Sequence, residues 1–293
     1  MKKTIALLLA LAALPFGAHA QSTINSTNHY AWDANAGWID FRAERPNPGD
    51  GIRVTDTFLS GYAWSANTGW INFGGTPLDA IHYLNSSSAD FGVNQDGAGN
   101  LSGLAWSPNT GWINFGWAAS TNTDRPRFDI STGDFSGYAW SANCGWINLG
   151  TGLLRTDSVA VTDSDNDGIS DAWEREHVET LPALPVLTRG GDYDGDGITD
   201  VQEYLLDTDP LVPNAPFRIT RISKIPNVTS VEMEWPSSPA RIYGVEAKLD
   251  LGATNWLFLA NVPGAPGTNT IQAIEQGAPT AFFRVAAKLP LQP

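Results

Sequence analysis

Asp163, Asp165, Asp167, Gly168, Asp171 and Glu174 stand at positions 1, 3, 5, 6, 9 and 12 of one loop, and Asp192, Asp194, Asp196, Gly197, Asp200 and Glu203 fill the same positions again. Carboxylates at alternate positions wrap a hard cation that takes about six to eight oxygens. The glycine permits the sharp turn, and the final Glu closes the site with both of its oxygens. A backbone carbonyl is needed at position 7, where Ile169 and Ile198 stand. The expected cofactor is therefore Ca2+ at two sites, one held by Asp163, Asp165, Asp167, Ile169, Asp171 and Glu174, the other by Asp192, Asp194, Asp196, Ile198, Asp200 and Glu203. A single D-x-D-x-D-G run is compatible with an acidic turn, and a complete second copy argues against that reading. So many like charges in two short loops repel one another without a counter-ion, so the calcium-free segment should be loose and the loaded one compact.

The elements that must deliver these ligands are short. Helical patterns over 170–178 and 199–206 follow the loops directly and bring Glu174 and Glu203 in from a first turn. No amphipathic helix precedes either loop, so this is not a complete helix-loop-helix hand. The pattern resembles thrombospondin type 3 or dockerin-type calcium repeats, and Glu203-Tyr204-Leu205-Leu206-Asp207-Thr208-Asp209-Pro210 resembles the E-Y-L-x-x-T-D-P ending of such repeats in secreted bacterial proteins. The resemblance implies a structural calcium ion outside the cell, bound at about 10⁻⁴ to 10⁻³ M. A dockerin would instead plug a partner domain. The Pro-rich stretch Leu181 to Pro185 and the lack of a second long helix pair count against that alternative.

Before this segment, one aromatic unit recurs four times, at Tyr30 to Phe41, Tyr62 to Phe73, Leu104 to Phe115 and Tyr138 to Leu149. Each copy reads as a β-hairpin, and such units must stack to bury their apolar faces. With A-N-T-G of the S-A-N-T-G segment taken as a four-residue loop, Ser65 opposes Trp70, and one face holds Tyr62, Trp64, Ile71 and Phe73 while the other holds Ala63, Ser65, Trp70 and Asn72. That register assigns Trp32, Trp64, Trp106 and Trp140 to the core. It leaves Trp38, Trp70, Trp112 and Trp146, beside Asn72, Asn114 and Asn148, as a second packing layer or a stacking platform for sugar rings. Further alternating runs lie over 51–57, 90–94 and 126–131. Repeats of this size form a propeller, a barrel or a sandwich, and the two ends of the array are suited to complement each other and close a ring. The unit resembles G-Y-A-W-S-x-N-x-G-W-I-x-F repeats of bacterial surface proteins, which implies location more than activity.

After Pro210, Pro213 and Pro216 come six short alternating runs, which read as a small β-sandwich with Trp235, Tyr243, Val245, Trp256, Phe283 and Val285 in its core. The E-W-P, Y-x-V-E, W-x-x-L and F-F-R-V pattern resembles fibronectin-like C-terminal modules. The fold class is thus mainly β, divided into 21–156 for the repeats, 157–213 for the tandem loops and 214–293 for the sandwich. Residues 1–20 read as a signal peptide, with Lys2 and Lys3, an apolar run from Ile5 to Phe16 and an Ala18-His19-Ala20 cleavage site. That run is too short to span a membrane.

The formal net charge is −14, and loss of Lys2 and Lys3 with the leader makes it −16. This argues against nucleic acid and anionic lipid as partners. Cys144 is the only cysteine, which rules out an intramolecular disulfide. It takes the hairpin-loop place held by Ala36, Thr68 and Thr110, where exposure would allow a dimer through an intermolecular disulfide. His29, His82 and His177 fall in no recognised motif, and there is no H-E-x-x-H, G-x-S-x-G or phosphate-binding glycine loop. The reading is a secreted, surface or periplasmic calcium-binding structural or adhesive protein without catalytic activity, with polysaccharide or another extracellular protein as partner. A carbohydrate-binding protein is second and a secreted glycoside hydrolase third.

Overall fold

A computed structural model describes residues 21–43, 51–119, 121–178, 186–226, 230–250, 252, 254–265, 269–275 and 281–292. The leader assignment to residues 1–20 and the Pro-rich stretch 181–185 lie outside the described residues. The structure is mainly β. It comprises an eight-stranded antiparallel barrel, two short helices beside the acidic loops and two small C-terminal sheets.

Each aromatic unit is a hairpin: Ile24–Asp33 with Gly37–Asp40, Tyr62–Ser65 with Gly69–Asn72, Leu101–Ser107 with Gly111–Asn114, and Tyr138–Ser141 with Gly145–Asn148. Neighbouring hairpins pair through Ile39 with Ser65, Asn72 with Trp106 and Ile113 with Ser141. The ring closes where Asp33 of the first hairpin pairs with Ile147 of the last. Of the three closures open at the sequence level, the barrel is the one formed.

The hairpin loop is one residue shorter than expected. Ser65 pairs with Gly69 and Trp64 with Trp70, leaving Ala66, Asn67 and Thr68 as the loop. Gly69 has φ +73°, and its counterparts Gly37, Gly111 and Gly145 are also left-handed. A turn followed by one left-handed residue is the common three-residue hairpin connection, and glycine supplies that backbone without a Cβ clash. Because side chains alternate, the one-residue difference exchanges the partners across every hairpin. Ala63, Ser65, Ile71 and Phe73 point inward and are buried, whereas Tyr62 and Trp64 are exposed on the outside and Trp70 and Asn72 are half-buried there.

Trp32, Trp64, Trp106 and Trp140 are therefore not core residues. They lie 38–40% exposed beside the second tryptophan of each hairpin. The interior has no room for them. An eight-stranded barrel is just filled by its own side chains, and here alanine on each outgoing strand makes space for isoleucine on the return. At one end Phe41, Phe73 and Phe115 meet edge to face, with centroids 5.3 and 5.4 Å apart. Phe135 and Phe128, from the short strands Phe135–Ser136 and Arg127–Phe128, extend this plug.

At the other end the four hairpin loops are stitched into a ring. Asn35 Nδ2 donates to the Cys144 carbonyl at 2.7 Å, Asn109 Nδ2 to Thr68 at 2.9 Å and Asn143 Nδ2 to Thr110 at 3.0 Å. These bonds explain Asn35, Asn109 and Asn143, each of which satisfies a carbonyl of the neighbouring hairpin, and Ser65 Oγ makes the remaining junction by donating to the Ala36 carbonyl. Cys144, expected on an exposed loop, is instead buried in this ring, so the exposure on which a disulfide-linked dimer rests is absent. Burial pushes its thiol pKa up, and the nearby Asp33 carboxylate pushes it the same way.

Asp33 takes the place of Ser65, Ser107 and Ser141. Its Oδ1 accepts from the Asn35 and Ala36 amides, but Oδ2 is buried without a partner. The serines satisfy both roles, as Ser65 does by donating to the Ala36 carbonyl at 2.6 Å and accepting from the Asn67 amide. We expect Asp33→Ser to stabilise the barrel by about 1–3 kcal/mol, because it removes a buried unpaired oxygen. Urea denaturation checks this, and a loss of stability would show that the carboxylate has a partner in solution.

The C-terminal part is a sandwich of two three-stranded antiparallel sheets. One comprises Arg221–Lys224, Ser230–Pro236 and Asn269–Glu275, and the other Leu257–Pro263, Ile242–Lys248 and Phe282–Lys288. Val231, Met233, Trp235, Tyr243, Val245 and Val262 form its core, with Phe283 and Val285 packed against them. Trp256 is not in that core. It lies half-buried under Lys248 Nζ and the Arg284 guanidinium, 5.1 and 4.6 Å from its ring centroid, as a surface cation–π site.

Candidate metal centre

Both acidic loops fold around their first aspartate. Asp163 accepts from the Asp167 and Gly168 amides, and Asp192 from the Gly195, Asp196 and Gly197 amides. The chain turns sharply where Asn166 and Gly168, or Gly195 and Gly197, take positive φ. This curl brings Asp163, Asp165 and Asp167 together, with one carboxylate oxygen from each within 4.8 Å of the others, and does the same for Asp192, Asp194 and Asp196.

Each loop ends in a seven-residue helix, α1 (Asp171–His177) and α2 (Asp200–Leu206). Ser170 caps α1 through the amides of Ala172 and Trp173, and Thr199 with Gln202 forms a capping box on α2. The first turn of each carries Glu174 or Glu203 into a buried position. Both oxygens of Glu174 and Oε2 of Glu203 are buried without hydrogen-bond partners. Buried carboxylate oxygens left without partners are costly, and a divalent cation is the group that satisfies several at once. The donor set of three aspartates, one glutamate and the Ile169 or Ile198 carbonyl is all oxygen, which suits a hard cation.

Asp171 and Asp200 are drawn away from that role. Asp171 holds the Ser164 amide and hydroxyl, and Asp200 holds the Thr188 and Tyr193 amides, so each clamps the start of its own loop. Asn214 was not foreseen. It donates to Glu203 Oε1 at 3.0 Å through its side chain and to Asp196 through its amide. The Arg189 amide likewise donates to Asp167 Oδ2 at 3.0 Å. Both residues stand outside the six-position pattern, so spacing carried no sign of them.

The electrostatics match an ion site. Burial, then repulsion from Asp165, Asp167, Asp171 and Asp163, raises the Glu174 carboxyl to about 8. Burial, with the charges of Asp194, Asp196 and Asp200, raises Glu203 to about 7 despite the Asn214 hydrogen bond. An unfolded glutamate titrates near 4.5, so between these values the calcium-free fold binds more protons than the unfolded chain. Its stability should therefore fall as pH rises from about 5 to about 8. Calcium requires the ionised forms, so its apparent affinity should rise over the same window, by about tenfold per pH unit for each proton displaced. Thermal melts in chelator and calorimetric titrations at both ends of the window check the two signs. A flat response would mean that neither carboxyl is held protonated.

The two helices pack against each other and against both neighbours. Trp173 and Tyr204 meet edge to face at 5.4 Å, with Ile169 and Leu187 completing a small core. The Ser170 hydroxyl donates to Asp56 of the barrel region. At the other end the Arg241 guanidinium pairs with Asp207 at 3.1 Å and donates to the Leu205 and Tyr204 carbonyls.

The proposed platform residues lie on the barrel's outer wall. Trp38, Trp112 and Trp146 are 44–49% exposed and Trp70 is half-buried. Asn72 and Asn114 are half-buried and accept from the amides of Gly74 and Gly116, and Asn148 pairs across the sheet with Trp32. No helix among the described residues is long and apolar enough to cross a membrane.

Residues 163–180 and 192–213 match the model of the family described as Bacterial TSP3 repeat. The match covers both acidic loops and their helices, and it supports calcium binding in an extracellular structural role. No curated protein and no solved structure matches the chain.

Proposed function

We propose that this is an exported structural or adhesive protein in which calcium locks the loop segment as a stiff joint between the barrel and the sandwich, and that it works without catalytic turnover. The observation that carries the reading is the pair of buried glutamates, Glu174 and Glu203, with carboxylate oxygens unpartnered beside two converged aspartate triplets. The joint contacts at Asp56 and Arg241 support the mechanical role, since each ties one end of the segment to a neighbour. Small-angle scattering with and without calcium tests it. A more compact and less variable particle in calcium is expected, and identical profiles would sink the joint. Hydrolysis of any member of a glycan panel by the purified chain would overturn the non-catalytic part.

A second reading is carbohydrate binding by the outer wall. It is favoured by seven repeat tryptophans, Trp32, Trp38, Trp64, Trp106, Trp112, Trp140 and Trp146, that are each 38–49% exposed. Ring contacts such as Trp32 edge to face with Trp38 at 4.8 Å and Trp140 tilted against Trp146 at 4.7 Å hold the rings in fixed orientations. Rigid aromatic faces stack on sugar rings at little entropic cost. Retention on insoluble polysaccharide, reduced by Trp38→Ala with Trp146→Ala, would establish it, and equal elution of parent and variant would remove it.

A further inference from the structure

Charge is divided unevenly along the chain. Residues 21–213 hold 8 Lys+Arg against 26 Asp+Glu, whereas residues 214–293 hold 7 against 5, so the sandwich is weakly cationic within an acidic protein. Three of its cations share one surface. In the sheet of Leu257–Pro263, Ile242–Lys248 and Phe282–Lys288, Glu246 pairs with Phe258 and Arg284, Lys248 with Phe282, and Ile242 with Lys288. Tyr243 and Val245 face the core, so alternation sets Lys248, Arg284 and Lys288 on the outer face with Phe258 and Phe282. Glu246 is the only acid in these three strands, and Asp250 follows in the adjoining turn.

Aromatic rings hold these cations in place. The Arg284 guanidinium and Lys248 Nζ lie 4.6 and 5.1 Å from the Trp256 ring centroid, and Lys288 Nζ lies 5.6 Å from that of Phe258 and 3.5 Å from Asn261 Oδ1. Attraction to the ring faces thus draws like charges together on one small area. Glu246 accepts from Arg284 Nε and answers one of them, which leaves the Nη donors of Arg284 for a further carboxylate. Phe258 and Phe282 are 51% and 40% exposed, so open aromatic surface flanks the cations. Nucleic acid and anionic bilayers carry dense charge that the acidic residues 21–213 would repel. An acidic polysaccharide spaces its carboxylates along sugar rings, and those rings suit exposed aromatic side chains.

We propose that this outer face of the sandwich binds a polysaccharide bearing uronic acid, its carboxylates toward Arg284, Lys288 and Lys248 and its sugar rings against Phe258 and Phe282. The site is separate from the calcium loops and from the tryptophan wall of the barrel, and it stands whether or not that wall binds sugar.

Fluorescence anisotropy of a labelled hyaluronan oligosaccharide, titrated with the full chain in saturating calcium, tests the proposal. Saturable binding is expected, and added salt should weaken it because charges on an exposed face are screened. Arg284→Gln and Lys288→Gln should each weaken it about tenfold. Arg221→Gln, the same change of charge on the other sheet, should leave it unchanged, as should Trp38→Ala with Trp146→Ala on the barrel wall. Circular dichroism verifies that the variants fold, and if Arg284→Gln fails to fold, Lys288→Gln decides alone. Absence of saturable binding, equal binding of a labelled neutral maltodextrin, or tighter binding of single-stranded DNA or phosphatidylglycerol vesicles would overturn the proposal. Binding unchanged in the folded Lys288→Gln protein, or weakened as much by Arg221→Gln or by the two tryptophan changes, would overturn it too. None of these outcomes bears on calcium uptake, which is read separately by calorimetry.

Discussion

Chelating calcium is expected to cost the protein about 2.7 kcal/mol of unfolding free energy per site, if free calcium had stood at about 100 times the dissociation constant, and about twice that for both. The loops explain why the loss should be felt beyond themselves. Glu174 and Glu203 are carried by helices whose other residues, Trp173 and Tyr204, form the small core between barrel and sandwich. Without the ion, four acids crowd Glu174, and its own carboxyl is pushed to about 8. The sharpest variant is therefore Glu174→Gln with Glu203→Gln. An amide resembles the protonated acid, so at about pH 6, below both folded pKa values, the variant should match the parent in chelator. It should gain almost nothing from calcium, having lost the two charges that close the sites. Asp163→Ala with Asp192→Ala should also abolish the response, but it removes the amide bonds that curl each loop as well, so its stability should fall even in chelator. Calorimetric melting of the three proteins with and without calcium reads all of this. A parent with equal melting temperatures in both conditions would dismiss the ions as structural elements.

The calcium loops were legible because their chemistry is local. A ligand at each alternate residue and a glycine at the turn are demands made within one loop, so spacing alone places Asp163, Asp165 and Asp167 about one centre. Asn214 and the Arg189 amide reach the loops from outside, and no spacing rule registers such contacts. The fate of Asp171 and Asp200 was hidden for a related reason. A carboxylate at position 9 has the same spacing whether it meets an ion or clamps a backbone, and only the fold shows Ser164, Thr188 and Tyr193 occupying it.

The barrel gives the opposite lesson. Four copies announced the hairpin, and the six alternating runs of the C-terminal part appear as six strands, yet one residue of loop length decided which tryptophans face water. The sign that could have corrected it is in the repeat itself. Ala63 and Ser65 share a face with Ile71 and Phe73 only in the three-residue loop register. Small residues on the outgoing strand are what a narrow barrel interior requires. A face built from Tyr62, Trp64, Ile71 and Phe73 would have overfilled it.

That register has its own consequence for stability. Phe73→Ala is expected to destabilise the barrel by about 3–5 kcal/mol, a large part of the stability of an ordinary domain. Phe73 is 1% exposed and stands between Phe41 and Phe115 in the aromatic plug. Its loss leaves a void in contact with two other rings, which cannot close up without breaking strand pairing with neighbours on both sides. Trp64→Ala should be much milder, since Trp64 is 40% exposed on the outer wall and its removal leaves no cavity inside. Some loss remains, because its cross-strand contact with Trp70 is worth about 0.2–1 kcal/mol. Urea denaturation of the two variants side by side separates the registers. In the three-residue register Phe73 dominates by a wide margin. Had the loop held four residues, Trp64 and Phe73 would share one buried face, and both substitutions would be comparably severe. Equal large losses would therefore reject the inward placement of Ala63 and Ser65, and with it the exposed tryptophan wall on which the carbohydrate reading depends.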